Sequence, residues 1–472
     1  MKNLSQLDRK YLWHPFTQGS EWEKEIYEYP MVISKAKGVY LYDSNGKKYI
    51  DGVSSLWANI HGHRHPALDA AIIKQLKKVA HTTFLGLTHE PGILLAQELI
   101  KIAPQGLTRV FYSDNGSTAV EVALKMAYQY RLQSGQLKIK SSKKISFLSL
   151  KESYHGDTIG SVSVGGIDLF HKKFYPLLFS TEFAMSPHCL KCPFRKSKDE
   201  TLKITNYEYK GEKPKPGDFR SKTGCHWECL GQVESKLKQK KSKTVAAILE
   251  PLVQGAGGIL TAPPGYLWGF ARICKKYGVP LILDEVAVGF GRTGTLFACQ
   301  QEGVTPDFLC LAKGITGGYL PLAATLTHEK IYQAFLGKYE EFKTFFHGHT
   351  YTANPLATQV AIASLDLFKK EKTLHRVQKL SRLLTKLLQE LAHLPMIHQI
   401  RQTGLIAGIE LTPSSLHPRI GKKVCLQARK HGLLLRPLGN TLVLIPPLSI
   451  TEEELTHLIR GTHKSILGID KK

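Results

Sequence analysis

The sequence predicts an α/β protein, with a mainly parallel, doubly wound sheet in a large domain and a smaller α/β domain drawn from the N- and C-terminal segments. Three observations lead there. Short apolar runs at 110–112, 145–150, 246–249, 281–283 and 308–312 are bounded by turn residues, as buried parallel strands are. Segments with the apolar spacing of helices alternate with these runs over roughly 200 residues. Polar residues suited to chemistry stand at the carboxyl ends of the runs, where open α/β sheets gather their ligands. The expected boundaries are an N-terminal arm with part of the small domain at 1–60, a large domain at 61–354, and the C-terminal small domain at 355–472. A basic, cysteine-containing insertion interrupts the large domain at about 186–243.

In chain order, GVYLYDSNGKKYIDG alternates on both sides of Asn45-Gly46, the dipeptide of a type I′ hairpin turn. SSLWANIHGHRHP follows, a Gly- and His-rich loop with an exposed-looking Trp57, and such loops often carry function. Residues 67–102 predict two helices. The strand VFYSD, the turn Asn115-Gly116-Ser117-Thr118 and the helix AVEVALKMAYQYRL form a unit whose free N–H groups and dipole suit an anion. ISFLSL predicts the next strand, with Tyr154, His155 and Asp157 between its end and a Gly-rich turn. AAILEPLVQGAGG repeats the arrangement with Glu250 and Gln254. LILDEV then closes on Asp284 and Glu285, and FLCLAK closes on Lys313. An acid ending one buried strand and a lysine ending the next are poor candidates for surface charges.

Between about 186 and 243 apolar periodicity gives way to Lys, Pro and Gly. Cys189-x-x-Cys192 and Cys225-x-x-x-Cys229 lie here, so the segment reads either as an exposed insertion with reduced thiols or as a loop stapled by zinc. Such a zinc ion would do no chemistry, and no catalytic metal is expected. From Pro355 come two helical patterns, the strand-like IRQTGLIAGIEL and TLVLIPPL, and a final helix opened by the capping box of Thr451 and Glu454. Arg436, in LLLRPLGN, needs either an internal acid or a ligand carboxylate as its partner.

With 472 residues, 42% hydrophobic and 22% charged, the chain can bury a large core in at least two domains. A net charge of +25 could attract anions or nucleic acid. The basic residues are dispersed, however, and no nucleic-acid partner is expected. No apolar run of about 18 residues predicts a membrane span. The first residues contain no signal-like apolar region. Eight cysteines in a chain of this length make no disulfide framework, so a reducing cytoplasm is the expected compartment.

Together these parts suit pyridoxal phosphate, which needs a lysine amine, an acid against its pyridine nitrogen, a ring to stack on and a phosphate cradle. Lys313 would supply the amine, made reactive by desolvation and nearby positive charge. Asp284 would keep the pyridine nitrogen protonated. Tyr154 would cover the ring, and Gly116-Ser117 would hold the phosphate.

LILDEV-x-x-GFGRTG followed by CLAKGITGG resembles the signature of the class III, fold-type I aminotransferases. LWHPFTQ, DGVSSLWANIHGHRHP, VFYSDNGSTAVEVALKMA, YHGDTIGSVSVGG, HGHTYTANPLA and LLLRPLGN narrow it. They are similar to the branch that converts 8-amino-7-oxononanoate to 7,8-diaminononanoate in the biotin pathway. The resemblance covers nearly the whole chain. It implies a homodimer with active sites shared at the interface, and S-adenosylmethionine as the usual amino donor. It assigns Lys313, Asp284 and Tyr154 to catalysis, with Lys313 also the base that moves the substrate proton. Gly116 and Ser117 are implied at the phosphate, helped by Thr350 of the partner subunit. Trp57, Tyr154, Gly348, Phe16 and Arg436 are implied at the substrate, where Arg436 takes the oxononanoate carboxylate and Asp157 lies beside the slot. Arg292 is a second basic group expected near the site.

Phe16 stands where relatives using adenosylmethionine often carry Tyr, Val288 where Thr is usual, and His349 where some carry Pro. Adenosylmethionine and lysine therefore both stay open as donors. Two other readings compete: a different ω-aminotransferase of the same class, and, more remotely, a zinc-containing nucleic-acid-binding protein.

Overall fold

The structure, a computed structural model, describes residues 4–23, 31–137, 145–194, 204–206, 225–240, 242–415 and 418–469. Its main sheet runs in the order Leu107–Ser113, Ala323–His328, Phe308–Leu311, Leu281–Asp284, Thr244–Leu249, Ser146–Leu150 and Thr181–Ala184. From Phe308–Leu311 to Thr181–Ala184 every pairing is parallel. Ala323–His328 runs antiparallel to both its neighbours. This strand and Thr181–Ala184 are additions to the strands expected from the sequence.

The three central strands are buried at every position, which is why they read as unbroken apolar runs. Alternate residues serve opposite faces. Ile248, Ile282, Phe308 and Cys310 pack with Ala119, Val122 and Ala123 of the helix Gly116–Gln133. Leu249, Leu283, Leu309 and Leu311 pack on the other side with Leu267 and Phe270 of the helix Tyr266–Tyr277. The doubly wound expectation holds.

Besides a two-stranded ribbon of Val253–Gln254 and Leu260–Thr261, two smaller sheets accompany this core among the described residues. Ile33–Lys37, Tyr40–Asp43 and Lys48–Asp51 are joined by Leu433–Leu434, from the far end of the chain, running parallel to Lys48–Asp51. The other is ordered Arg436–Leu438, Thr441–Leu444, Ile406–Leu411, Ile397–Thr403 and Ile204–Asn206. The last helix, Glu452–Leu467, opens on the expected capping box of Thr451 and Glu454. No helix among the described residues is long and apolar enough to cross a membrane.

Two local expectations change. The hairpin loop is longer than a two-residue type I′ turn: the strands end at Asp43 and Lys48, and Gly46 takes φ +80°. The Asp43 carboxylate closes the loop by accepting the N–H groups of Asn45 and Lys47, both at 2.9 Å. The insertion also has more structure than its composition suggests. Glu228–Lys240 is a helix that buries Cys229, Val233 and Leu237, and Ile204–Asn206 pairs with Ile397–Thr403.

The zinc expectation finds no support. Among the described residues no three His, Cys, Asp or Glu side chains are grouped to hold a metal ion. Cys189, Cys192 and Cys225 are half-buried and Cys229 is buried. Burial and the neighbouring thiols of Cys189, Cys225 and Cys192 push the Cys229 thiol up to about 12.

Candidate active site

A cavity of about 700 Å³ opens at the carboxyl ends of the parallel strands, and Lys313, Asp284, Tyr154, Trp57, Gly116 and Ser117 all line it. Residues spread over more than half the chain meet because each follows a strand or precedes a helix at the same edge of one sheet.

Lys313 comes two residues after Phe308–Leu311, in the left-handed region at φ 45°. Among the described residues its amine has no hydrogen bond or ion pair, and it lies 5.3 Å from the centre of the Trp57 ring. Burial lowers its pKa below the ordinary lysine value. The carboxylates of Asp284 and Glu250 oppose this shift and the Arg292 charge adds to it. Asp284 is buried at the end of its strand. One of its oxygens lies 2.8 Å from His155 Nδ1, and the other accepts the N–H of Val286 at 3.1 Å.

The turn expected to hold the phosphate is pressed against a second turn. Asn115 caps the helix Gly116–Gln133. A Cβ on Gly116 would lie 2.5 Å from Val286 Cγ1, so a larger residue there would push the turn out of place. Gly156, at φ +118°, closes on Ser117, and a Cβ there would lie 2.4 Å from Ser117 Oγ. The Ser117 hydroxyl is paired with the Thr158 hydroxyl at 2.9 Å and accepts the Thr158 N–H at 3.0 Å. An 18-residue helix thus presents its N-terminus to the cavity.

Trp57 is not exposed, as its Gly- and His-rich loop suggested, but 6% exposed. Ser54, Ser55, Leu56 and Trp57 all adopt positive φ. Asp51 holds this turn by accepting the Ser55 N–H and hydroxyl at 2.9 and 2.7 Å, while Ser54 Oγ donates to the Ile445 carbonyl at 2.7 Å. The indole Nε1 is buried without a partner among the described residues. Tyr154 donates its hydroxyl to Asp157 at 2.7 Å.

Other expected residues lie elsewhere. Phe16 and Arg436 line a second, larger cavity of about 1410 Å³. It adjoins the first through aromatic contacts, with Phe16 and Phe170 centroids 5.5 Å apart and Phe170 and Tyr154 6.2 Å apart. Arg436 is half-buried and has no acid within ion-pairing distance among the described residues. Gly348 and Thr350 line neither cavity; the nearest side chain to a Cβ on Gly348 would be Leu85, at 3.8 Å. Between them, His349 Nδ1 lies 2.8 Å from Asp114, at the rim of the first cavity. Arg292, expected near the site, stands behind the cavity wall, and its charge reaches Lys313. Its guanidinium is fully buried and donates to the carbonyls of Pro446 and Asn59, both at 2.6 Å, and of Trp57 at 3.3 Å, so it braces the Trp57 loop.

Sequence reading passed over Phe170 as a site residue, since nothing in its neighbourhood signals a wall of the cavity. Glu250 and His155 stood visibly at strand ends, and their roles depend on contacts that span the chain.

Residues 22–466 match the class-III aminotransferase family, and the chain belongs to that family. The individual relatives are consistent. The chain is 49% identical to the adenosylmethionine-8-amino-7-oxononanoate aminotransferase of Nitratidesulfovibrio vulgaris, over 99% of this chain and 82% of that one. It is 46% identical to the enzyme of the same name from Aquifex aeolicus, over 100% and 98%. The crystal structure of the enzyme so named from Methanocaldococcus jannaschii is 39% identical, with a TM-score of 0.87 and 98% of both chains covered. An amine transaminase from an uncultivated Pseudomonas species, in its pyridoxal-phosphate-bound form, gives 31% and a TM-score of 0.84 over 97% and 98%.

The chain is therefore an aminotransferase with pyridoxal phosphate as its cofactor. The site fits that group: a recessed amine unpaired among the described residues, a buried acid braced by a histidine, and a helix N-terminus whose first turn is held against Val286 at Gly116. Nothing supports the zinc-containing nucleic-acid-binding alternative.

Two outcomes are expected. Gly116→Ala should weaken pyridoxal phosphate binding by about tenfold or more, equivalent to about 1.4 kcal/mol, read by titrating cofactor into apoprotein. Arg292→Met leaves buried carbonyls unbonded and should lower unfolding stability by about 3 kcal/mol, read from urea denaturation.

Proposed function

We propose that the chain transaminates 8-amino-7-oxononanoate to 7,8-diaminononanoate, the reaction for which its relatives are named. The observation that carries this reading is the Arg436 guanidinium, without an ion-pair partner among the described residues, in a large cavity adjoining the Lys313 cavity. A long substrate with a carboxylate at one end and its reacting amino-ketone at the other suits two joined compartments. Arg436 binds the carboxylate bidentately and sets how far the chain reaches. Tyr154 and Phe170 line the passage between.

Bound pyridoxal phosphate supplies an aldehyde that exchanges amino groups and a ring that draws electrons from the carbon beside the transferred nitrogen. The protein does the rest. Asp284, held by His155 and the Val286 N–H, presents a fixed carboxylate to the pyridine nitrogen. Lys313, whose proton is loosened by burial, takes the proton from the substrate carbon and returns it. Gly116 and Ser117 bind the phosphate at the helix N-terminus, and Trp57 excludes water from the opposite wall.

The proposed assembly is a cytoplasmic homodimer with shared sites. Thr350 and Gly348 line neither cavity of their own chain, and Tyr339, Phe342, Phe346, Tyr351 and Leu85 nearby are exposed apolar side chains suited to a second copy. In a partner's site, Thr350 would reach the phosphate and Gly348 the substrate channel. S-adenosylmethionine is the donor carried in the relatives' names. Lysine is the second reading, favoured by Phe16, whose ring meets Phe170 and offers no hydroxyl.

Half-reactions test this directly. Yellow enzyme mixed with S-adenosylmethionine should bleach to the pyridoxamine form; bleaching with lysine alone would transfer the donor role, and loss of colour with neither would refute both. Arg436→Ala should slow the oxononanoate half-reaction about 100-fold, close to 2.7 kcal/mol, and the donor half-reaction much less. Equal losses in both would show that Arg436 is not the carboxylate anchor.

A further inference from the structure

One buried acid of the Lys313 cavity has no place in the scheme above. Glu250 stands just past the strand Thr244–Leu249 and is 6% exposed. Its two carboxylate oxygens serve different turns: one accepts the N–H of Tyr154 at 3.0 Å, the other the N–H of Gly255 at 2.8 Å. The first turn carries the Tyr154 ring. The second lies flat against the Trp57 indole, where a Cβ on Gly255 would come within 3.0 Å of the ring. One side chain thus joins the backbone behind both aromatic walls. Among the described residues no cation forms an ion pair with Glu250; its charged surroundings are His155, Asp284 and Lys313.

A Gln would fill the same space but would set its amide nitrogen against one of the two N–H groups, so the tie uses both acceptor oxygens of the carboxylate. Burying a carboxylate without a countercharge is costly, and two backbone N–H bonds offset that cost only in part. The position of the charge in the same cavity as the Lys313 amine points to a use for it.

We propose that Glu250 is a positioning residue for this transamination: it ties the Tyr154 and Gly255 turns together, and its negative charge sustains the proton on the Lys313 nitrogen. The inference rests on the aminotransferase reading above. Burial raises the Glu250 acid to about 7, with His155 opposing and Asp284 adding to the shift, so its charge changes in the neutral range. Its carboxylate, like that of Asp284, resists the loss of the Lys313 proton that burial favours.

The test compares wild-type, Glu250→Gln and Glu250→Asp proteins loaded with pyridoxal phosphate. The pH midpoint of the visible band of the Lys313-bound cofactor is titrated, and KM is measured for 8-amino-7-oxononanoate. Glu250→Gln removes the charge together with one of the two acceptors and should lower the midpoint by about one pH unit and raise KM. Glu250→Asp keeps the charge but cannot span both turns; it should keep the wild-type midpoint while KM rises about fivefold, with a smaller change in kcat. A Gln variant matching wild type in midpoint and KM would overturn the proposal, as would equal midpoint shifts in Gln and Asp. Should the Gln protein fail to fold, an Asp variant with wild-type KM overturns it. Wild-type protein that binds no pyridoxal phosphate would instead overturn the aminotransferase reading, which keeps the two failures distinct.

Discussion

Desolvation of the Lys313 amine is the constraint on which the site depends. A lysine in water keeps its proton and reacts poorly, whereas one recessed at the end of a fully buried strand loses it more readily. The same burial would make Asp284 and Glu250 costly if they had no partners. Each is satisfied at close range, Asp284 by His155 and the Val286 N–H, and Glu250 by two backbone N–H groups. The polar contacts around the cavity are the consequence of placing one amine out of water.

The second requirement is a backbone that reaches unfavourable conformations and stays there. Ser54 to Trp57 form a left-handed turn, at a cost of about 1–2 kcal/mol for each non-glycine residue, and Lys313 lies in the same region. Asp51, Ser54 and Arg292 hold the turn from three sides. Burial alone would raise the Asp51 acid, but its bonds to His63 and Ser55 outweigh that and lower it, so the carboxylate that anchors the turn keeps its charge. The brace at Arg292 reaches from a turn after one central strand to the carbonyls of Asn59 and Pro446, which ties the Trp57 loop and the C-terminal segment to the sheet that carries Lys313.

Much of this could be read in the chain. Asp284 and Lys313 stood out because a fully buried strand leaves no room for an idle charge at its end. The Asn115-Gly116-Ser117 turn stood out because a strand, a small-residue turn and a helix make an anion site by local geometry. Trp57 was noticed for its loop but taken as exposed, since its burial comes from a turn that no propensity favours. Arg292 is legible as a basic group near the site, but its bracing role is not, because its acceptors, around Trp57 and Pro446, lie far away in sequence. The helix Glu228–Lys240 was hidden by its lysines and is held by three buried side chains against the rest of the protein.

Legible in local order are the class of fold and the groups proposed for chemistry at the strand ends: the lysine, the acid and the small-residue turn. These depend on burial pattern and on contacts a few residues apart, and both are written in local order. Only the tertiary structure decided that Phe16 and Arg436 occupy a separate cavity from Lys313, that Gly348 and Thr350 line neither, and that Glu250 joins the Tyr154 and Gly255 turns. Each of those outcomes depends on how distant strand ends and loops pack against one another. No periodicity records that.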